Sequence, residues 1–283
     1  MNTIKKMVTL LVTIAGGYLL LLIFMYLFQS KLIFLPSSDL VVTPSEAGLQ
    51  AEDVWIETSD GERLHGWHLT NELTEYIVVL SHGNAGNISN RIDIAKFLQE
   101  AGVSVLIYDY RGYGQSSGKP SEVGLYRDIE AVVNFLKTDE GYSEQQMIMY
   151  GRSMGGAVAS FAATRFNVGG LVLDSAFKNV KAMVSDLYPF VPSFLASYEF
   201  PTEQHVQQLS DIPVMIMHSP TDTIVDISHG KALFGAANDP KTFVELRGGH
   251  NDNFHASVDI YNKHWKKFLL MIDEEKRSSI KER

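Results

Sequence analysis

Gly151-Arg152-Ser153-Met154-Gly155 is the stretch on which the reading of this chain turns. It has the form G-x-S-x-G and follows a short apolar run, Gln146-Met147-Ile148-Met149-Tyr150. Behind it comes the small, apolar stretch from Gly155 to Ala163. The first run suits a buried central strand and the second a helix packed tightly on a sheet. A strand that turns sharply into a helix here lifts the serine hydroxyl clear of the sheet, as a nucleophile elbow requires. The flanking glycines follow from sterics, because a side chain at either place would strike the neighbouring strand or helix. Gly and Ser are common residues, so the pentapeptide acquires meaning from the strand and helix around it.

Working outward, residues 53–58 and 64–69 alternate in polarity across the hairpin signal Ser59-Asp60-Gly61-Glu62. Tyr76 to Ser81 is nearly all apolar, as a strand buried on both faces must be. Ile88 to Ala101 has helical spacing, Val103 to Tyr108 is another buried strand, and Val123 to Leu136 is another helix. Strands at 147–150, 171–173, 214–217 and 243–246, with helices at 154–165 and 254–271, complete the series. Strand and helix alternate after an antiparallel start. The expected fold class is α/β, a mostly parallel central sheet with helices on both faces. Phe177 to Asp211 interrupts the rhythm with an aromatic and proline-rich passage, and is expected to cap the site.

Ligands in such sheets bind beyond the C-terminal strand ends. A serine hydroxyl needs a base to take its proton and a third group to orient that base. With Ser153 as nucleophile, the strand-end acids downstream are Asp174, Asp222 and Asp226. Asp222 follows the 214–217 strand directly and is the expected acid. Asp174, one strand earlier, is the reserve, and Asp226 is expected to cap the next helix. Of the histidines after Ser153, only His250 lies in a Gly-rich loop, Arg247-Gly248-Gly249-His250-Asn251, between the last strand and helix. It is the expected base. His218 reads as structural, and His229, His255 and His264 as surface or packing residues. Two backbone N–H groups are needed for the developing oxyanion. Met154 should supply one and Asn84, in His82-Gly83-Asn84-Ala85-Gly86-Asn87, the other. Arg111, in Asp109-Tyr110-Arg111-Gly112-Tyr113-Gly114, is expected to tie loops together rather than bind substrate.

The 283 residues carry a formal net charge of −9, with no basic stripe to attract nucleic acid. Cysteine is absent, which excludes disulfides, thiolate catalysis and Cys-ligated metals. From Met7 to Phe28 there is no charged residue. Twenty-two helical residues span roughly 33 Å, enough to cross a hydrocarbon core of about 30 Å. The run is too long for a cleavable signal peptide and lacks a small-x-small site, so an uncleaved signal anchor is expected. Lys5 and Lys6 place the N-terminus in the cytoplasm and the domain on the far side. The expected organisation is therefore residues 1–6 cytoplasmic, 7–28 anchor, 29–49 juxtamembrane linker, 50–272 domain with the cap at 177–211, and 273–283 a charged, frayed tail.

Through these motifs, from Ser81-His82-Gly83-Asn84 to Gly249-His250, residues 50–272 resemble the α/β-hydrolase superfamily. More narrowly, the chain looks like a membrane-anchored branch related to acyl-protein thioesterases and lipid hydrolases. The resemblance implies serine hydrolysis of esters or thioesters without a metal or organic cofactor; the apolar cap and the anchor favour lipid-like acyl substrates, and a monomer is expected. A serine aminopeptidase or amidase of the same fold, a silent membrane-tethered binding module and a secreted soluble enzyme are the alternatives.

Overall fold

The computed structural model describes residues 2–281, with side chains through Arg277. Eight strands form one sheet: β1 (Glu52–Glu57), β2 (Arg63–Leu69), β3 (Ile77–Ser81), β4 (Ser104–Tyr108), β5 (Met147–Arg152), β6 (Gly170–Asp174), β7 (Val214–His218) and β8 (Lys241–Glu245). Their spatial order is β8-β7-β6-β5-β3-β4-β2-β1. β2 runs antiparallel to both β1 and β4, and every other pairing is parallel. The order reverses about β3, so β5 lies at the centre, where the elbow was expected.

Alternation along the strands divides the interior into two cores. Ile77 and Val79 of β3 point to one face, and Val78 and Leu80 to the other. The first face is covered by α4 (Glu122–Thr138), α5 (Gly155–Arg165) and α8 (Ile227–Ala236), through Leu125, Val158 and Leu233. On the second lie α3 (Ile92–Glu100) and α10 (Val258–Lys281), through Leu98, Trp265 and Phe268. Burial of both faces explains why the inner strands read as continuous apolar runs. Local signals start the helices: the Ser121 hydroxyl accepts from Gly124 N–H ahead of α4, and Asp226 accepts from Ser228 N–H ahead of α8.

Three boundaries differ from the sequence reading. A 3₁₀ turn, Ile88–Arg91, precedes α3 because Asn87 and Asn90 form a reciprocal cap there. The last helical passage is divided at Ser257, between a single turn at Asn253–Ala256 (α9) and α10. The charged stretch after residue 272 continues α10 to Lys281 instead of fraying. Its helix-forming residues are tied back by Asp273, which accepts from the Tyr76 hydroxyl at 2.6 Å, and by Lys276, which pairs with Glu75. Residues 282–283 lie outside the described residues.

The segment expected to be a juxtamembrane linker, residues 29–49, is tied to the domain. After α1 (Asn2–Leu27) and the short α2 (Gln29–Ile33), Leu35–Pro36 pairs in parallel with Ala85–Gly86 in the loop after β3. Phe34 is buried, edge-on to Tyr198 and Phe200. No residue of α1 is buried, although it is apolar almost throughout.

Candidate active site

Ser153 sits between β5 and α5 with φ of 52°, the left-handed conformation that a non-glycine residue adopts only under constraint. The constraint is close packing. A Cβ on Gly155 would lie 2.0 Å from the Ser81 carbonyl oxygen, and one on Gly151 would lie 2.3 Å from that of Gly155. Ser153 N–H donates to the Asp174 carbonyl at 2.9 Å, and its own carbonyl accepts from Gly156 N–H. The hydroxyl is thereby held above the strand ends.

The three residues expected to act together do meet. His250 Nε2 lies 3.1 Å from Ser153 Oγ, and His250 Nδ1 lies 2.7 Å from Asp222 Oδ2. Since Asp222 can only accept when ionised, Nδ1 carries the proton and Nε2 presents its lone pair to the serine. Burial alone would raise the Asp222 carboxyl. The hydrogen bond and charge of His250, with the N–H groups of Val225 and Ile224, outweigh it and hold the group below the ordinary carboxylate range.

Asn84 and Met154 both line the pocket at Ser153. Met154 immediately precedes α5, where the helix dipole favours negative charge. The Asn84 carbonyl accepts from the Tyr113 hydroxyl and from Leu35 N–H, and its side chain donates to the Ile33 carbonyl at 2.9 Å. These three bonds fix the loop beside Ser153. His82 lies behind it, fully buried against Tyr110 and Tyr113, with its pKa pushed down to about 3 by burial.

Asp174, the reserve acid, faces away from His250. Its Oδ2 accepts from Arg152 and from the hydroxyls of Tyr150 and Tyr261, each at 2.8 Å, and Oδ1 accepts from Ser175. Burial would raise this carboxyl, but Arg152 and the hydroxyls hold it below the usual range. Arg152 in turn donates to the His250 carbonyl at 2.5 Å and to Asn253 Oδ1 at 2.8 Å. An ion pair beneath the elbow therefore anchors the histidine loop. The sequence reading missed it, because neither Arg152 nor Asp174 discloses from its own strand that the two are buried side by side.

His218 is buried and bonded to the Val225 carbonyl, where it holds the Asp222 loop. His229 is buried against Asp186, while His255 is exposed. Arg111 does tie loops together. It donates to Asp128 from Nε and to both oxygens of Asp60 from its terminal nitrogens.

A pocket of about 430 Å³ opens above Ser153. None of the described residues lining it is acidic or is a lysine or arginine. Its walls come from α6 (Val180–Leu187) and the chain as far as Ala196, and also from Leu22, Met25 and Tyr26 of α1. Only part of the 177–211 segment lies over the site. Its last helix, α7 (Thr202–Gln208), packs on α5 and α8 as a member of the helical layer.

Comparison with known proteins fits this geometry. A family model described as serine aminopeptidase, S33, matches residues 74–201. WAV2 of Arabidopsis thaliana, named as an α/β-hydrolase domain-containing protein, is 30% identical over 279 residues, covering 88% of this chain and 90% of its own. This chain belongs to the α/β-hydrolase superfamily. YNL320W of Saccharomyces cerevisiae, named as a membrane protein, is 32% identical over 241 residues, covering 81% of this chain and 84% of its own. Among solved structures, the Pyrococcus furiosus esterase Pf2001 superposes with a TM-score of 0.70 at 21% identity, covering 84% of this chain and 98% of that one, a likeness of fold. Within such a superfamily chemistry resides in the site, and an oriented Ser-His-Asp constellation can carry out acyl transfer.

Proposed function

We propose that this chain is a membrane-anchored serine hydrolase that cleaves carboxylic ester or thioester bonds of lipid-like acyl substrates. Ser153 Oγ attacks the acyl carbonyl as its proton passes to His250 Nε2. The imidazolium is stabilised by Asp222, and the oxyanion is received by the amides of Asn84 and Met154. His250 returns the proton to the departing alcohol or thiol, leaving an acyl-serine. A water then repeats the sequence, giving its proton to His250 as it attacks the acyl carbonyl, and Ser153 is restored. Each oxyanion donor is expected to stabilise the transition state by about 3 kcal/mol.

The observation that carries this reading is the 3.1 Å and 2.7 Å relay at the floor of an uncharged pocket. The same observation weighs against an aminopeptidase, whatever the matched family model is called. An enzyme that grips a free α-ammonium group needs a carboxylate beside it, and no described lining residue offers one. α1 serves as the anchor, with Lys5 and Lys6 holding the N-terminus in the cytoplasm. Turnover of acyl esters and aminoacyl amides by the purified full chain tests the assignment. Faster ester cleavage is expected, and markedly faster release of N-terminal amino acids would replace it with a peptidase.

A further inference from the structure

The N-terminal helix does more than lead to the domain. Leu22, Met25 and Tyr26 follow the i, i+3, i+4 spacing of one face of α1, and together with Gln29, the first residue of α2, they line the pocket that contains Ser153 and His250. The chain is fastened on either side of Leu22, Met25 and Tyr26. Tyr18 donates its hydroxyl proton to the Phe190 carbonyl at 2.6 Å. Gln29 donates to the Leu195 carbonyl at 3.0 Å and accepts from Ser197 N–H at 2.7 Å. The two fastenings lie eleven positions apart, the first on α1 and the second at the start of α2. Beyond them, the parallel pairing of Leu35–Pro36 with Ala85–Gly86 joins the base of the anchor to the loop that carries Asn84.

The opposite wall is apolar in the same way. From Leu187 to Tyr198 the cap has no charged residue. Phe190 and Phe194 are 52% and 78% exposed, poor choices for a surface in water. Phe190 meets α1 at Tyr18, nine residues before the helix ends, which is roughly 14 Å along it. A hydrocarbon core about 30 Å thick would enclose the tip of the cap together with that part of α1.

Resting on the proposed hydrolase function, we infer that α1 is a wall of the substrate site and that the substrate is an acyl ester resident in the bilayer. Its chain passes from the leaflet along the Leu22, Met25 and Tyr26 face to Ser153, without crossing water. The exposed aromatic residues of the cap lie in the same leaflet and keep the opening within hydrocarbon. The anchor thereby selects substrates that partition into membranes over those that diffuse to the site from solution.

The test uses the full chain in vesicles of a diether phosphatidylcholine, which has no carboxylic ester to cleave. A long-chain fluorogenic ester is placed in the bilayer and a short acetate ester in the water, and the ratio of their turnover is measured. Met25→Trp fills the groove beside the helix, and Leu22→Trp reports on the same wall independently. A third variant exchanges residues 2–27 for an unrelated apolar helix of equal length. Each should lower the long-to-short ratio at least tenfold, while Leu20→Trp, outside the pocket lining, should keep the wild-type ratio. Ratios within twofold of wild type in the groove and exchange variants would overturn the inference and leave α1 a tether. An equal fall in Leu20→Trp would overturn it as well. Wild-type protein that cleaves neither ester would instead contradict the hydrolase function itself.

Discussion

Replacing Arg152 by Met removes the guanidinium and leaves a side chain of similar length beneath the elbow. Asp174, wholly buried, then keeps its negative charge with only the hydroxyls of Tyr150, Tyr261 and Ser175 to hold it. Breaking a buried ion pair by removing one partner costs about 3–5 kcal/mol, a large part of the roughly 5–15 kcal/mol that stabilises an ordinary domain. At about 2–4 °C per kcal/mol for a domain of this size, the midpoint of thermal unfolding should fall by roughly 6–20 °C. The His250 carbonyl and Asn253 also lose their donor, so ester turnover should drop even where the protein remains folded. Circular dichroism of the full chain in detergent gives the first quantity and acetate ester hydrolysis the second. The double variant Arg152→Met, Asp174→Asn removes both charges and should recover part of the lost stability, because no unpaired carboxylate remains. A fall of under 3 °C in the single variant, or strictly additive losses in the double, would refute this account of the pair.

Asp222→Asn keeps the shape of the triad but not the charge that fixes the imidazole tautomer, so kcat should fall on the order of 10³- to 10⁴-fold with folding intact, as steady-state kinetics would report. Gly155→Ala would drive a methyl group into the Ser81 carbonyl, which is backbone and cannot swing aside. Loss of several kcal/mol or outright misfolding should appear in urea titration, whereas Gly235→Ala, with open space around it, should be tolerated. His205, pushed down to about 4 by burial, stays neutral in the folded protein at pH values where the unfolded chain takes up a proton. Its effect on stability is absent above about pH 6.5 and grows unfavourable as pH falls towards 4. His205→Gln should flatten the fall in the urea midpoint across that window, and an unchanged slope would count against the burial argument.

What the sequence could disclose depended on how local the cause was. The elbow was legible because the steric demand falls on Gly151 and Gly155, a few residues from Ser153. Asp222 and His250 were legible because chain order and strand ends restrict where a triad can form, and the fold brings both to Ser153. Asp226 capping α8 is likewise a near-neighbour effect, whereas Arg111 ties together Asp60 and Asp128, which are distant in the chain. The Arg152–Asp174 pair was missed because its logic is burial, which one strand cannot reveal about the next. The role of Leu22, Met25 and Tyr26 was hidden for a related reason. A uniformly apolar helix suits a bilayer on every side, so its pattern does not mark which face turns towards a pocket. The fraying predicted after residue 272 failed because a charged sequence reads alike whether solvated or paired to Tyr76 and Glu75.

In the proposed mechanism Ser153, activated by His250, is the nucleophile of a membrane-anchored enzyme. A fluorophosphonate probe, which reacts with activated serines, tests it on the full-length protein in membranes beside the Ser153→Ala variant. The account predicts a labelled band in the membrane fraction that disappears in the variant. Absence of label on folded wild-type protein, or label that survives in Ser153→Ala, would contradict it.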